Sequence, residues 1–533
     1  MKKTVLFALF LILAVAVLGL TSCGCEHEWK ETSVAKEATC HETGERVLTC
    51  SKCGETKKET IPKTDHEYDA GVDVVKNGCE TEGQKLFTCK ICNTTKTEIT
   101  PAKGGHLWNG GRITVDPTCT MKGTREFVCN RCGGTRTEPV AATGKHTYSE
   151  NYIIVKAPTA TSAGEARAYC ETCVSSYLTK SVTLAEYNTM KTEAINASNA
   201  VAASSFGGTT YTKMSTTAYA APVTSPKAGQ HPRLLFTGDD LPAIREAMAN
   251  DVDANELKGV INAALEYDSA ILGATSKKDS SDRYGPKGTH NCNEAKLRCI
   301  IAKAFLYQVY GTDLYGYQAI RMMKEYLTTL KIESVNDSCR YYGYTMFVSA
   351  IVYDWCYDLL TKTEKTEIIC GIQYKLAPGM EVGFPPSGQG ALAGHGSERQ
   401  ILRDYLSVAL AIYDEEPTWY AFIGGRFYAD YVPVRNTYYL SDFTPQGIST
   451  YVQIRFTSDL WSAWLMKSAT GANPYINNMG NVMESYLCHI VNGDTEIFES
   501  GDDELKDATE RLKSMDLAFA ISGYLYDDDT MWT

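Results

Sequence analysis

The chain has 533 residues, 44% of them hydrophobic and 22% charged, which excludes a disordered protein and predicts more than one globular domain. Its formal net charge of −12 argues against a nucleic-acid partner, because phosphate binding relies on clustered lysine and arginine. An acidic polysaccharide partner would need a local basic cleft.

The first 22 residues have the pattern of a bacterial secretion signal. Lys2 and Lys3 precede an apolar run from Val5 to Leu20, which is short for a membrane span. The run ends in Leu20-Thr21-Ser22-Cys23, which looks like a lipobox, where the cysteine is diacylated and becomes the mature N-terminus. We therefore expect residues 1–22 to be removed and Cys23 to anchor the protein at the outer face of the membrane. Cleavage of a conventional signal peptide, with secretion, is the alternative.

Residues 23–180 contain four copies of a repeat of roughly forty residues. Three copies have a histidine followed by three cysteines at fixed spacing: His27, Cys40, Cys50, Cys53; His66, Cys79, Cys89, Cys92; and His106, Cys119, Cys129, Cys132. The fourth copy keeps His146, Cys170 and Cys173, but Ala160 replaces the remaining cysteine, so we expect this copy to lack one ligand. A central glycine and short threonine-rich alternating stretches predict small β-hairpin modules.

Each complete set offers the donors of a tetrahedral Cys₃His zinc site. Disulfide bonds are the alternative, which an extracellular location favours. Three cysteines per copy would then leave one thiol unpaired within the copy and the recurring histidine unexplained. With either chemistry, bonds to sulfur would staple a module too small to be stabilised by burial alone. We expect a structural role, because a metal with four protein ligands has no open position for catalysis.

The remaining sequence changes from a linker to a helical domain. Residues 181–230 are rich in small and polar residues and suggest a linker with one short helix. Residues 231–533 show long amphipathic patterns and almost no strand pattern, which predicts an all-α domain, either a toroid of helical hairpins or a solenoid. The predicted helices are 293–310, 314–330, 342–360, 397–413, 448–468, 475–491 and 504–525.

A glycine-rich segment before the fourth of these helices carries candidate site residues. Ser397 and Gln400 have the spacing of a capping box, which would make Ser397 the N-cap and Glu398 the first helical residue. His395 would then lie on the loop at the start of the helix, facing the same cleft as Glu398. The alternative is that Glu398 only complements the helix dipole and His395 is an exposed loop residue.

Four separated segments resemble, in the same order, the heparinase II/III-like polysaccharide lyases. They are His231-Pro232-Arg233-Leu234-Leu235-Phe236, Tyr353-Asp354-Trp355 with the following Leu359-Leu360-Thr361, the His395-x-x-Glu398 element, and Gln446-Gly447 leading to Tyr451 and Arg455. The resemblance implies an incomplete (α/α) toroid that cleaves a uronic-acid-containing polysaccharide by β-elimination. It covers roughly residues 231–533.

The resemblance also implies the site residues of such a lyase. Tyr451 would act as base and acid, His395 as the assisting base and Glu398 as the group that neutralises the substrate carboxylate. Arg455, one turn from Tyr451, would supply the positive charge that a tyrosine needs to act as a base. No cofactor is expected for catalysis.

Two further expectations concern the rest of the domain. Members of this family normally continue into a β-sandwich that contributes another active-site histidine, and we expect it to be absent because no strand-rich region follows residue 525. The alternatives to a lyase are a glycoside hydrolase that uses Asp354, Asp358 or Asp404 on the same helical scaffold, or a non-catalytic surface lipoprotein that binds carbohydrate. His231 is expected to be structural.

Overall fold

A computed structural model describes residues 25–250, 254–268, 293–330, 338–392, 394–439, 452–476, 479–487, 490–491, 496–497 and 508–527. The chain divides into two compact units, Met1–Pro117 with Met121–Ala142, and Thr118–Thr120 with Thr143–Thr533. The predicted signal peptide, Cys23, the segment 440–450 and Tyr451 lie outside the described residues.

The first unit contains three modules, each a three-stranded antiparallel sheet whose strands follow chain order. The predicted β modules are thus confirmed. Their strands are β1 (Trp29–Lys36), β2 (Gly44–Cys50) and β3 (Thr56–Ile61); β4 (Val72–Val75), β5 (Gly83–Thr88) and β6 (Thr95–Thr100); and β7 (Arg112–Val115), β8 (Gly123–Val128) and β9 (Thr135–Val140).

The repeated glycine begins the central strand of each module, where it leaves room for the preceding strand. A β-carbon at Gly83 would lie 2.6 Å from the carbonyl oxygen of Val75, and one at Gly123 would lie 2.4 Å from that of Val115. These distances are shorter than any side chain tolerates, so only glycine fits.

The three modules of the first unit bury very little apart from sulfur. Among their described residues, Leu48 is the only buried side chain that does not belong to a cysteine or a glycine. Burying one leucine contributes about 2 kcal/mol, whereas ordering the backbone costs about 1–2 kcal/mol for each residue. Hydrophobic burial therefore cannot hold this unit together.

The second unit begins with a fourth module of the same topology, built from β10 (Ile153–Lys156), β11 (Gly164–Tyr169) and β12 (Tyr177–Val182). This module differs from the others because its buried side chains join the core of the helical region. The backbone N–H of Ile154 donates to the Tyr315 hydroxyl at 2.7 Å, and Val182 is fully buried.

The helical region makes up the rest of the second unit. Its α-helices are α1 (Leu184–Asn199), α2 (Leu241–Asn250), α3 (Ala254–Leu265), α4 (Glu294–Tyr310), α5 (Asp313–Thr329), α6 (Cys339–Trp355), α7 (Lys362–Gly371), α8 (Leu406–Ala411), α9 (Pro417–Arg426), α10 (Val432–Tyr438), α11 (Thr457–Thr470), α12 (Gly480–Leu487) and α13 (Ala508–Tyr526). A two-residue strand pair, β13 (Ile490–Val491) with β14 (Glu496–Ile497), precedes α13. The predicted change from small sheets to helices is confirmed.

Local signals explain several boundaries. Asn293 caps α4 by accepting from the Lys296 N–H, and Gly311 ends that helix with a φ of 64°. The segment predicted as a linker supplies α1, which starts at a capping box formed by Thr183 and Glu186. Phe206, in the same segment, is fully buried in the helical core.

Two of the segments that carry the family resemblance contact each other in the core. Asp354 accepts from the backbone N–H groups of Arg233 and Leu234, each at 2.8 Å. Its other oxygen lies 2.6 Å from His231 Nδ1, and His231 Nε2 lies 2.9 Å from Asp414. His231 is thus a buried structural residue, as expected.

Membrane insertion through a helix has no support in the described residues, where no helix combines the length and apolar character that a bilayer span requires.

Candidate metal centres and an arginine cluster

Cysteine and histidine side chains form four similar clusters, one for each module. In every cluster the ligand atoms lie within 4.8 Å of one another. The clusters are Cys25, His27, Cys50, Cys53; Cys40, His66, Cys89, Cys92; Cys79, His106, Cys129, Cys132; and Cys119, His146, Cys170, Cys173. Each therefore contains three thiols and one imidazole, the donor set of a structural zinc site.

The composition of these clusters corrects the grouping expected within each repeat. The first cysteine of a copy does not join its own histidine, because the turn before the central strand points it to the next set along the chain. Cys40 therefore lies with His66, and Cys79 with His106. The fourth set is complete, since Cys119 fills the position for which Ala160 offers no thiol, and Cys25 completes the first set.

The distances within the clusters match tetrahedral metal coordination. Zn–S bonds of about 2.3 Å place two thiolates of a tetrahedron about 3.8 Å apart. The observed Sγ–Sγ distances are 4.0 Å for Cys25–Cys50, 3.6 Å for Cys40–Cys89, 3.6 Å for Cys79–Cys129 and 3.8 Å for Cys119–Cys170. A disulfide would require about 2.05 Å.

Each histidine presents Nδ1 to its cluster and is held in that orientation by neighbours. Nδ1 lies 3.3 Å from Sγ of Cys53, Cys92 and Cys132 in the first three clusters, and 3.4 Å from that of Cys173 in the fourth. The aromatic residue two positions on packs against the ring, with centroids 4.9 Å apart for His27–Trp29 and 4.8 Å for His106–Trp108. Nε2 of His106 lies 3.8 Å from a Glu80 carboxylate oxygen, a typical second partner for a metal-bound histidine.

The Cys-x-x-Cys turns favour thiolates. Burial raises the pKa of Cys129, but the N–H groups of Arg131 and Cys132 and the His106 imidazole outweigh it and bring the pKa to about 5. The same balance brings the pKa to about 6 at Cys50, Cys89 and Cys170. Burial, with hydrogen bonds from neighbouring thiols, instead raises the pKa of Cys79 to about 11. A bound metal ion would hold all of these groups as thiolates.

In the helical region, His395 lies in a short 3-10 turn, His395–Ser397, between two loop residues that orient it. Its Nδ1 is 2.6 Å from Glu381 Oε2 and 3.9 Å from Cys339 Sγ. Gln389 donates to the same Glu381 oxygen at 2.7 Å. Burial raises the pKa of Glu381, but these hydrogen bonds from Gln389 and His395 lower it overall. The result is an imidazole whose Nδ1 faces a charged carboxylate.

The capping box expected at Ser397 is not formed. Ser397 Oγ donates to the Gly394 carbonyl, and the Gln400 side chain accepts from the Val382 N–H. Glu398 has a ψ of −147° and is therefore not helical. A π-helix, Gln400–Tyr405, follows it, and π-helical turns are frequent at functional sites. Glu398 is thus the last residue of a loop held by Gly394, which adopts a φ of 71°.

Glu398 is buried between two arginines from distant parts of the chain. Its carboxylate lies 3.2 Å from Arg340 Nε, on α6, and 3.6 Å from Arg455 Nε. Arg455 belongs to a second π-helix, Val452–Phe456. The structure therefore brings together two of the predicted site residues, Glu398 and Arg455, while Tyr451 lies outside the described residues.

Two more arginines complete this cluster. Burial and the neighbouring Arg403 lower the pKa of Arg399 to about 10. Arg403 Nη2 lies 2.6 Å from the fully buried Asp404. In the described part of the chain, neither Arg399 Nε nor Gln400 Nε2 has a hydrogen-bond partner, although both atoms are buried. Unsatisfied buried donors are rare in folded proteins and indicate a place for a ligand.

Several of these residues were not predicted from the sequence. Cys25 could have been found, because each His-Cys-x-x-Cys set needs one preceding cysteine and Cys25 is the available one before His27. Arg340 and Glu381 carry no local signal, since they reach the cluster only through the packing of α6 and a loop against the His395 turn.

No protein-family model matches this chain, and no curated protein sequence matches it.

Proposed function

We propose that the helical region is an incomplete (α/α) toroid that binds an acidic polysaccharide and cleaves it by β-elimination. The observation that carries this proposal is the pair of unsatisfied buried donors, Arg399 Nε and Gln400 Nε2, beside His395. Buried donors without partners cost about 1–3 kcal/mol each, and a carboxylate is an acceptor of the right charge to relieve that cost.

The residues divide the chemistry between them. Arg399 and Gln400 bind the uronate carboxylate and thereby acidify the proton on C5. With Nδ1 directed to Glu381, His395 would receive this proton at Nε2. The electron pair of the C–H bond forms the C4–C5 double bond, and the C4–O bond breaks. Tyr451, on the basis of the sequence resemblance, protonates the leaving oxygen and assists the base.

The arrangement also revises the role expected for Glu398. Its carboxylate is occupied by Arg340 and Arg455, so it holds the cationic groups in place. The guanidinium of Arg399, and not Glu398, is suited to neutralise the substrate carboxylate. Arg455 would act on Tyr451 through its charge, as expected from the sequence.

A glycoside hydrolase using Asp354 has less support. Both of its oxygens are engaged, by His231 and by two backbone N–H groups. Asp404 is fully buried beside Arg403, which leaves no solvated pair of carboxylates among these two residues.

The proposal is tested by incubating the full chain with a panel of uronate polymers and recording ultraviolet absorbance, because unsaturated uronate absorbs where the substrate does not. We expect absorbance to rise with at least one polymer and to be abolished in His395→Gln and Tyr451→Phe. Arg399→Gln should raise KM, whereas Arg245→Gln, at an exposed arginine of α2, should not. A flat trace with binding of the polymer would leave a carbohydrate-binding protein, and reducing ends without absorbance would indicate a hydrolase.

We also propose that the metal in the four clusters is zinc and that its role is structural. The support is the Cys₃His donor set and the Sγ–Sγ distances of 3.6–4.0 Å. Elemental analysis of the full chain purified with reductant should find four zinc ions per chain. Absence of both zinc and titratable thiols would instead show disulfides.

We propose, finally, that a lipid on Cys23 holds the protein at the outer face of the bacterial membrane. The support is the sequence Leu20-Thr21-Ser22-Cys23 after an apolar run. Metabolic labelling with an alkyne fatty acid should mark the wild-type protein but not Cys23→Ser. Equal labelling of the two would contradict the anchor.

A further inference from the structure

The four modules share one strand order but differ sharply in what they bury. In the described residues of the first three, Leu48 is the only buried side chain outside cysteine and glycine. In the fourth, Ile153, Ile154, Ala166 and Val182 are each at most 2% exposed and belong to the core of the helical region.

From this difference we infer that the first three modules fold only with metal bound, whereas the fourth is held by the helical core and keeps its fold without metal. The inference rests on the proposed metal binding and adds a division of the four sites into two kinds. For the first three, metal coordination is the only strong tie among the described contacts, because a metal ion there replaces the hydrophobic core.

The ties within the first unit run from module to module. Cys40, from the turn before β2, completes the cluster of the second module, and Cys79, from the turn before β5, completes that of the third. Loss of metal from the second cluster therefore releases the β5 module and its link to the preceding module together. The strands offer no substitute, since no sheet pairs strands of different modules among the described residues.

The fourth module has other supports besides its cluster. Ile154 donates to the Tyr315 hydroxyl on α5. Tyr187, four residues after the end of β12, is buried and bonds to Asp313 at the start of α5. These contacts stay in place when the metal at Cys119, His146, Cys170 and Cys173 is removed.

Hydrogen exchange on the full chain tests this inference. The metal is removed with a chelator in the presence of a phosphine reductant, and native mass spectrometry confirms its loss. We expect amides of β2, β5 and β8 to exchange at least about 100-fold faster after removal, and amides of β11 to change by less than about threefold. Cys89→Ser and Cys170→Ser, at equivalent positions, provide matched variants: the first should release β5 and the second should leave β11 protected.

The outcomes separate the two proposals. If metal is present before treatment and β5 stays protected after its removal, the inference is wrong while the zinc proposal stands. Loss of β11 protection in Cys170→Ser, to the extent seen for β5 in Cys89→Ser, also overturns it. If the untreated chain contains no metal and only a reductant releases β5, both proposals fail together.

Discussion

Cys40 Sγ lies 3.6 Å from Cys89 Sγ, although 49 residues separate them and they belong to different modules. Cys79 and Cys129 repeat the relationship one module further on, at 3.6 Å. Each of these modules thus gives a ligand to the next cluster. Cys25 starts the series, which explains why a cysteine stands two residues before His27.

The glycine that begins each central strand should be essential to its module. In Gly123→Ala the new β-carbon would meet the Val115 carbonyl oxygen at 2.4 Å, so we expect the third module to lose about 1–3 kcal/mol of stability. Hydrogen exchange of β8 amides in the metal-loaded chain measures this loss. Gly110→Ala is the control, because a β-carbon there meets no atom within 4 Å. Equal exchange in the two variants would show that the close approach is not present.

His231 should stabilise the fold without taking part in chemistry. In His231→Ala the buried Asp354 loses its partner at 2.6 Å, and leaving a buried charge unpaired costs about 3–5 kcal/mol. Urea unfolding followed by tryptophan fluorescence should show a lower midpoint for this variant. His41→Ala, at an exposed histidine, should match the wild type. An unchanged midpoint in His231→Ala would contradict the structural assignment.

Asp404 should make stability depend on pH in the weakly acidic range. Burial, opposed by Arg403 and Arg399, raises the pKa of this carboxyl from 3.8 to about 6. Because the folded-state pKa lies above the unfolded value, the folded protein binds more protons between about pH 4 and 6. The stabilisation present below pH 4 is therefore lost as the pH rises, by about 3 kcal/mol in total.

The comparison with Asp404→Asn isolates this effect, since asparagine does not titrate. The free energy of unfolding of the wild type, minus that of the variant, should fall as the pH rises from 4 to 6.5. Urea unfolding of both proteins at several pH values gives this difference. A difference that is constant or grows with pH would rule out the raised pKa.

The repeats show what sequence spacing can and cannot determine. The fixed distances between His66, Cys89 and Cys92 predict three ligands of one cluster correctly. A periodic sequence looks the same whether the fourth ligand is Cys79 from the same copy or Cys40 from the previous one. Only the direction of the turn before the central strand decides this, and the absence of a cysteine at Ala160 was the available clue.

The helical region shows a different limit. The periodicity predicts α4 and α5 to within one residue at each end, because capping residues and apolar spacing are local signals. Around the candidate site, tertiary contacts override such signals. Gln400 serves the Val382 N–H instead of a capping box, and Arg340 reaches Glu398 across 58 residues of chain. Pairing of this kind has no sequence period.

The most direct test of the metal array is differential alkylation of Cys40→Ser in the full chain. The accessible thiols are labelled under reducing conditions and identified in peptides by mass spectrometry, with the wild type as control. We predict that Cys89 and Cys92 become labelled, that Cys50 and Cys53 stay protected, and that one metal ion of four is lost. Labelling of Cys50 and Cys53, with Cys89 and Cys92 still protected, would place Cys40 in the cluster of its own repeat and contradict the structure.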